Sequence, residues 1–522
     1  MPVNPILLEV FKNRFASISE EMGVTLNRTA FSPNIKERRD FSCAVFDQRG
    51  DMIAQAAHIP VHLGSMPLSV QSAIQNVSWQ EGDMVILNDP FKGGTHLPDI
   101  TIVAPVFSSE DNPSFYVANR AHHADVGGMS SGSMPLSTSI FQEGVIIPPL
   151  KICEKGTIDG KLLAFLLNNV RTPTEREGDF SAQIMANITG VRRTRELMGK
   201  YGRETVDFYA SGLMDYAERV TRDTIQALPD GVYEFEDHMD GDGIDTNRIK
   251  IHVTVTIQGD EAVLDFRESA PQVRGSVNAV NAITLSAVLY VFRSLVPRDI
   301  PTNAGCLRPI EVLTREGTIV DARFPAAVAG GNVETSQRIV DVILGALSQA
   351  LPHAIPAASQ GTMNNVTIGG FDHRKGKPFA YYETIGGGMG ASASAHGESA
   401  VHSHMTNTMN TPIEALEYSY PFHVTEYSIR RGTGGTGGHR GGDGIVREIQ
   451  LLSDAEITVL SERRAFPPYG LFGGGPGAVG RNITVQDGKP MERPGKFSLS
   501  LKKGDRIRVE TPGGGGYGEE SG

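Results

Sequence analysis

The sequence predicts an α+β protein with several mixed sheets, separate helical segments and a glycine-rich C-terminal β region. Apolar residues recur at three- and four-residue spacing in widely separated blocks, and short apolar runs bounded by turn residues fill the stretches between them. The 59 glycines among 522 residues are clustered, not periodic. A regular succession of strand and helix, the mark of a parallel α/β sheet, is missing. The length exceeds one ordinary core, so domains are expected at 1–230 (α+β), 231–330 (a β-meander plus helix) and 331–522 (glycine-rich α+β).

The first element reads as a helix. Asn4 can cap it, Pro5 suits the first helical position, and Leu7, Leu8, Phe11, Phe15, Ile18 and Met22 share a face, with Gly23 as the expected stop. From Asp40 to about Ala118 the pattern turns to strands, at Cys43–Phe46, Met84–Leu87 and Ile100–Val103. Two helices follow, near Ser181–Tyr201 and Glu204–Leu228. Residues 231–267 read as a meander, because Ile249, Ile251, Val253, Val255 and Ile257 alternate with polar neighbours, the period of a half-buried strand. Helices return at about Ala279–Leu295 and Val333–Leu351. Beyond Tyr420 short strands such as Ile457–Leu460 are separated by glycine clusters, and Thr511–Gly518 reads as a turn-rich tail.

With 48 basic and 60 acidic side chains the net charge is −12, which argues against nucleic acid as a partner. Cys43, Cys153 and Cys306 are too far apart in sequence for a zinc ribbon or a redox pair, and three thiols fit a reducing compartment. No signal peptide is expected from the N-terminal pattern, and no apolar run approaches the roughly 20 residues that span a bilayer. A cytoplasmic protein is the expectation.

The chemistry-bearing residues concentrate between Asp40 and Asp125. Residues 88–99 (NDPFKGGTHLPD) and 119–128 (NRAHHADVGG) offer carboxylates and imidazoles in glycine-punctuated loops, the usual donors to Zn²⁺, Mn²⁺ or Fe²⁺. His122 and Asp125, three apart, can meet one ion. His122 and His123 are adjacent and point apart, which leaves His123 a supporting or substrate-facing role. His96 and Asp40 would complete a four-ligand set; hydrogen-bonded loop side chains are the alternative. His402 and His404 form an HxH pair that a strand would place on one face. The run GTGGTGG at 432–438 lacks the lysine of a phosphate-binding loop and the helix of a dinucleotide fingerprint, so structural turns are the preferred reading. No serine or cysteine sits in an activating motif.

Taken together, these segments resemble the hydantoinase B/oxoprolinase family, which includes the B components of N-methylhydantoinases, the C-terminal part of 5-oxoprolinases and large subunits of acetone and acetophenone carboxylases. The resemblance runs along nearly the whole chain: RRDFS at 38–42, the two clusters above, EGVIIPP at 143–149, REGDFSAQ at 176–183, GGNVETSQR at 330–338, YETIGGG at 382–388, SAVHSHMTNT at 399–408 and SERR at 461–464. It implies a divalent metal (Zn, Mn or Fe) on this chain, with Asp40, His96, His122 and Asp125 at the matching ligand positions. His123 or Glu143 is then the general base or orients a ligand. The family further implies a partner, a hydantoinase A-type ATPase subunit that binds ATP–Mg and phosphorylates the substrate oxygen, in a hetero-oligomer. The activity expected is hydrolysis of a cyclic amide such as a hydantoin, 5-oxoproline or a related lactam. A ketone carboxylase of the acetone type and a non-catalytic scaffold are the alternatives.

Overall fold

The computed structural model describes residues 3–56, 59–108, 112–297 and 299–520, and the described residues form four β-sheets. The first has seven strands, in the spatial order Met52–Gln55, Phe41–Asp47, Pro113–His122, Asp99–Phe107, Met84–Leu87, Leu150–Glu154 and Thr157–Ile158. Its central strands are buried on both faces, which is why the sequence shows continuous apolar runs there. One face is covered by the helices Pro5–Thr29 and Pro173–Tyr201, with Phe15 and Phe115 rings 6.3 Å apart. The other carries the helix Met66–Asn76, whose Met66, Val70 and Ala73 pack on Phe46, Val85, Leu87 and Val103.

Gly23 does not stop the first helix, which runs on to Thr29. A glycine inside a helix costs about 0.5–1 kcal/mol, and burial of Met22 and Leu26 on either side outweighs it. The helix expected from Ser181 begins earlier, at Pro173. The meander forms as Gly231–Met239, Ile249–Gln258 and Glu261–Asp265, and Ile310–Leu313 joins it in parallel. The helix over it, Ser336–Ala350, is preceded by a π-helical turn, Gly331–Thr335, a form that often marks functional positions.

Two further sheets enclose a second apolar cluster that includes Ile368, Tyr381, Phe422, Ile449, Ile457 and Ile507. The largest cluster extends from Phe11 to Leu460. Beside these sheets the glycine runs lie against one another as extended backbone. Gly388 N–H donates to the Pro512 carbonyl (3.0 Å), Gly442 to Met389 (2.8 Å), Gly514 to Gly442 (2.9 Å) and Gly435 to Gly514 (2.8 Å). The tail is therefore not the turn-rich segment expected, since residues 511–517 form no turn and are buried. A Cβ on Gly390 would lie 1.8 Å from the Ala357 carbonyl oxygen, so the approach itself requires glycine. Among the described residues no helix is long and apolar enough to cross a membrane.

Candidate metal centre

Three neighbouring strands end at one edge of the seven-stranded sheet. In the antiparallel register Asp99, the first residue of its strand, faces His122, the last of the next, and Phe41 faces Ala121 on the far side. Asp40 therefore sits beside the same strand ends, and its carbonyl accepts the His122 amide at 3.0 Å. His96 is carried by the turn leading into Asp99, closed by the Asp99 amide on the His96 carbonyl (3.1 Å).

This register brings together His96 Nε2, His122 Nδ1 and Asp99 Oδ1, each 3.2 Å from the other two. For bonds near 2.1 Å, adjacent donors are separated by roughly 3.0 Å in an octahedron and 3.4 Å in a tetrahedron. The observed triangle falls between these values. All three residues are at most 2% exposed. They are His/Asp donors that can meet at one ion. The outer atoms aim the inner ones. His96 Nδ1 lies 3.2 Å from the Ala329 carbonyl and donates to it, which turns the Nε2 lone pair inward. Asp99 Oδ2 accepts from Thr95 Oγ1 (2.6 Å) and Asn332 Nδ2 (3.3 Å) and lies 3.3 Å from His62 Nε2. His62 is in turn fixed by Ser42 Oγ at 2.9 Å. The His122 ring stacks on Tyr382 at 4.4 Å.

Electrostatics divides the two central imidazoles. Burial works against the His96 proton, yet the Asp99 carboxylate and the Ala329 carbonyl outweigh it and raise its pKa. Burial wins at His122, whose pKa is lowered despite the same carboxylate. Burial alone would raise Asp99, but His96 and His62 and the hydrogen bonds from His122 and His62 hold it well below the usual carboxylate range. Asp40 is pushed up by burial, against the pull of His122 and Arg38.

Of the residues expected at a metal, His96 and His122 lie in the triangle, and Asp40 lines a cavity together with His122 and Asp99. Asp125 is not brought there. Its oxygens accept the amides of Gly127 (3.1 Å), Gly132 (3.3 Å) and Arg171 (3.0 Å), and Arg171 Nη1 at 3.0 Å. Asp99 is the carboxylate of the triangle. His123 points to the other side of the strand end, with Nε2 2.9 Å from Gln183 Oε1 and its ring 4.8 Å from Phe180. Glu143 is buried; its Oε1 accepts from Ser137 Oγ (2.6 Å) and the amides of Val328 (2.8 Å) and Ala329 (3.0 Å). His402 and His404 lie in a loop, not on a strand. His404 has φ +58°, and the two rings face Asn410 and Tyr290 separately.

A narrow cavity of about 20 Å³, enough for one water-sized species, is lined by Asp40, His62, Asp99, His122 and Asn332 and, beyond them, by Tyr382 and three threonines. His62, Asp99, Asn332 and Tyr382 were not identified from sequence. Asp99 repeats the three-residue offset from His96 that Asp125 has from His122, and spacing cannot choose between them.

A buried imidazole–carboxylate cluster at the strand ends of an α+β fold is the class of site that this chain presents. The family model described as Hydantoinase B/oxoprolinase matches residues 4–520, and the chain belongs to that family. It is 41% identical to a 5-oxoprolinase of Dictyostelium discoideum, over 99% of this chain and 40% of that protein. An uncharacterized protein of Methanocaldococcus jannaschii is also 41% identical, with 99% and 91% covered. A protein provisionally named as the B component of a D-/L-hydantoinase, from Pseudomonas sp. (strain NS671), is 30% identical, with 99% and 90% covered. The chain thus spans about two fifths of the oxoprolinase and most of the other two. The ATP-dependent caprolactamase of Pseudomonas jessenii superposes with a TM-score of 0.92 at 30% identity, over 99% of this chain and 92% of that one. An acetone carboxylase shares the fold, with a TM-score of 0.92 at 19% identity, over 99% of this chain and 76% of that one.

Proposed function

We propose that this chain is the metal-bearing B component of an ATP-dependent enzyme that hydrolyses a cyclic amide, a hydantoin, 5-oxoproline or related lactam. In this reading a hydantoinase A-type partner binds ATP and phosphorylates the amide oxygen, turning a poor electrophile into a reactive one, and this chain completes the hydrolysis. The observation that carries it is the 3.2 Å triangle of His96, Asp99 and His122. The greater length of the 5-oxoprolinase leaves room there for the second component. The 30% identity to a caprolactamase favours hydrolysis over carboxylation, since the likeness to acetone carboxylase reaches only the fold.

His96, Asp99 and His122 would hold the ion, with Asp40 beside them. A divalent ion there would supply Lewis acidity to water and to the substrate oxygen. His62, Thr95 and Asn332 orient Asp99, and the Ala329 carbonyl orients His96. Elemental analysis of the purified chain is expected to find about one divalent ion per chain, retained in Asp125→Asn. Metal-free wild-type protein, or loss of the ion with Asp125, would overturn the assignment.

Glu143 reaches the centre through the backbone: it binds the Ala329 amide, and the Ala329 carbonyl holds His96. An orienting role fits this chain better than base catalysis. Burial pushes its carboxyl up to about 7 from 4.5, against the hydrogen bonds from Ser137, Ala329 and Val328. The folded state therefore holds this proton more tightly than the unfolded state. The stability that this contributes is full below about pH 4.5 and is lost as pH rises through about 7. All three hydrogen bonds converge on Oε1, which an amide can replace. Glu143→Gln should gain stability relative to wild type with rising pH, by up to roughly 3 kcal/mol above about pH 8. Denaturation at acid and alkaline pH measures this; a pH-independent difference would mean an ordinary carboxylate. Turnover lost in a folded, metal-loaded Glu143→Gln would restore the base.

A further inference from the structure

Part of the cavity wall has no role in the scheme above. Thr384, Thr406 and Thr408 line the same space as Asp99 and His122, and their hydroxyls form a chain that starts on a buried guanidinium. Arg38 Nη2 donates to Thr384 Oγ1 at 2.8 Å, Thr384 and Thr408 hydroxyls are 2.7 Å apart, and those of Thr408 and Thr406 are 3.3 Å apart.

Counting hydrogens leaves one donor for the cavity. A guanidinium only donates, so Thr384 accepts from Arg38. Three hydroxyls carry three hydrogens, and the two links between them use two. Among the described residues none of the three hydroxyls donates to a carbonyl or carboxylate, so one hydrogen is left for the cavity. If the chain runs outward from Arg38, that hydrogen is on Thr406, whose oxygen also faces the Thr408 amide at 3.5 Å, a contact in which it accepts.

The source of the chain is a full positive charge. Arg38 is completely buried, donates Nη1 to the Tyr382 carbonyl at 2.8 Å, and stands 3.9 Å from Asp40. Its Nε has no partner among the described residues. A cation feeding a hydroxyl chain polarises each bond in turn, so the last hydroxyl is a stronger donor than an isolated threonine. A donor fixed in advance toward the place where negative charge develops stabilises it without reorganisation.

We propose that Thr406 donates its hydroxyl to a single anionic oxygen that the substrate inserts into this water-sized cavity, with Thr408, Thr384 and Arg38 as the positioning chain behind it. This rests on the cyclic-amide reading of the site. That reading supplies such oxygens on the transferred phosphoryl group. The same wall thereby selects substrates that carry an anionic oxygen and disfavours a neutral group of similar size.

The test compares wild type with Thr406→Val and Thr406→Ser, in complex with an A-type partner and ATP. It reads metal content, turnover of a lactam, and binding of inorganic phosphate by calorimetry. Thr406→Val keeps the shape and removes the hydroxyl. It is expected to retain the ion, bind phosphate about tenfold more weakly and lose about 10²-fold in kcat with little change in KM. Thr406→Ser is expected to recover both. Full metal with wild-type kcat and phosphate affinity in Thr406→Val would overturn the proposal. So would a loss that serine fails to restore, because it would mark a packing role. Wild-type protein that takes up no ion would sink the metal reading separately, and the phosphate affinities would then decide the role of Thr406.

Discussion

His122→Ala is expected to lose the divalent ion and to lower turnover by about 10³-fold or more, while its neighbour His123→Ala keeps the ion. Loss of a group that merely orients a metal ligand costs about 10–100-fold, and removing the ligand itself exceeds that. His122 Nδ1 is one corner of the donor triangle. His123 leaves from the other side of the same strand end and is held by Gln183 and Phe180. Its loss opens a cavity and strips Gln183 Oε1 of a partner, a stability defect of roughly 2–4 kcal/mol. Elemental analysis and thermal unfolding of both variants separate the two effects. A His122→Ala protein that keeps its ion, or a His123→Ala protein that loses it, would show that the centre lies on the other face of the sheet end.

Gly514→Ala is expected to destabilise the chain by about 3 kcal/mol or more. A Cβ at that position would stand 2.0 Å from the Met389 carbonyl oxygen and 2.3 Å from its carbon, and both are backbone atoms. Relief would need the two extended segments to separate, and Gly514 N–H is already bound to the Gly442 carbonyl at 2.9 Å. Gly199→Ala is the contrast. Gly199 lies in the helix Pro173–Tyr201 with open space around its Cβ direction, so alanine there gains about 0.5–1 kcal/mol. Thermal scans should move in opposite directions. An unchanged midpoint for Gly514→Ala would mean that the glycine segments are not in contact.

Much of the scaffold was legible in the chain. The strand Met84–Leu87 and the alternating strand Ile249–Gln258 follow from apolar patterning alone, because a buried run and a half-buried face leave different periods. Gly23 misled because helix propensity is weak beside the burial of Met22 and Leu26. The C-terminal glycines misled in another way: composition records that backbone must come close to something, and that partner lies more than a hundred residues away for Gly514 and Met389.

At the site, the sequence by itself indicated the two segments that supply the clustered imidazoles and carboxylate, and the opposed directions of His122 and His123. It also determined the family, through long motifs in order along the chain. Only the tertiary structure places Asp99, and not Asp125, beside His96 and His122. Both stand three residues after a histidine, but antiparallel register places Asp99 opposite His122, while Asp125 turns away to Arg171. Asn332, Tyr382 and the three threonines come from segments hundreds of residues away from His122, brought to it by burial of the helices and sheets that carry them. No local pattern encodes such a meeting, because it depends on which surfaces pack and not on the spacing within any one element.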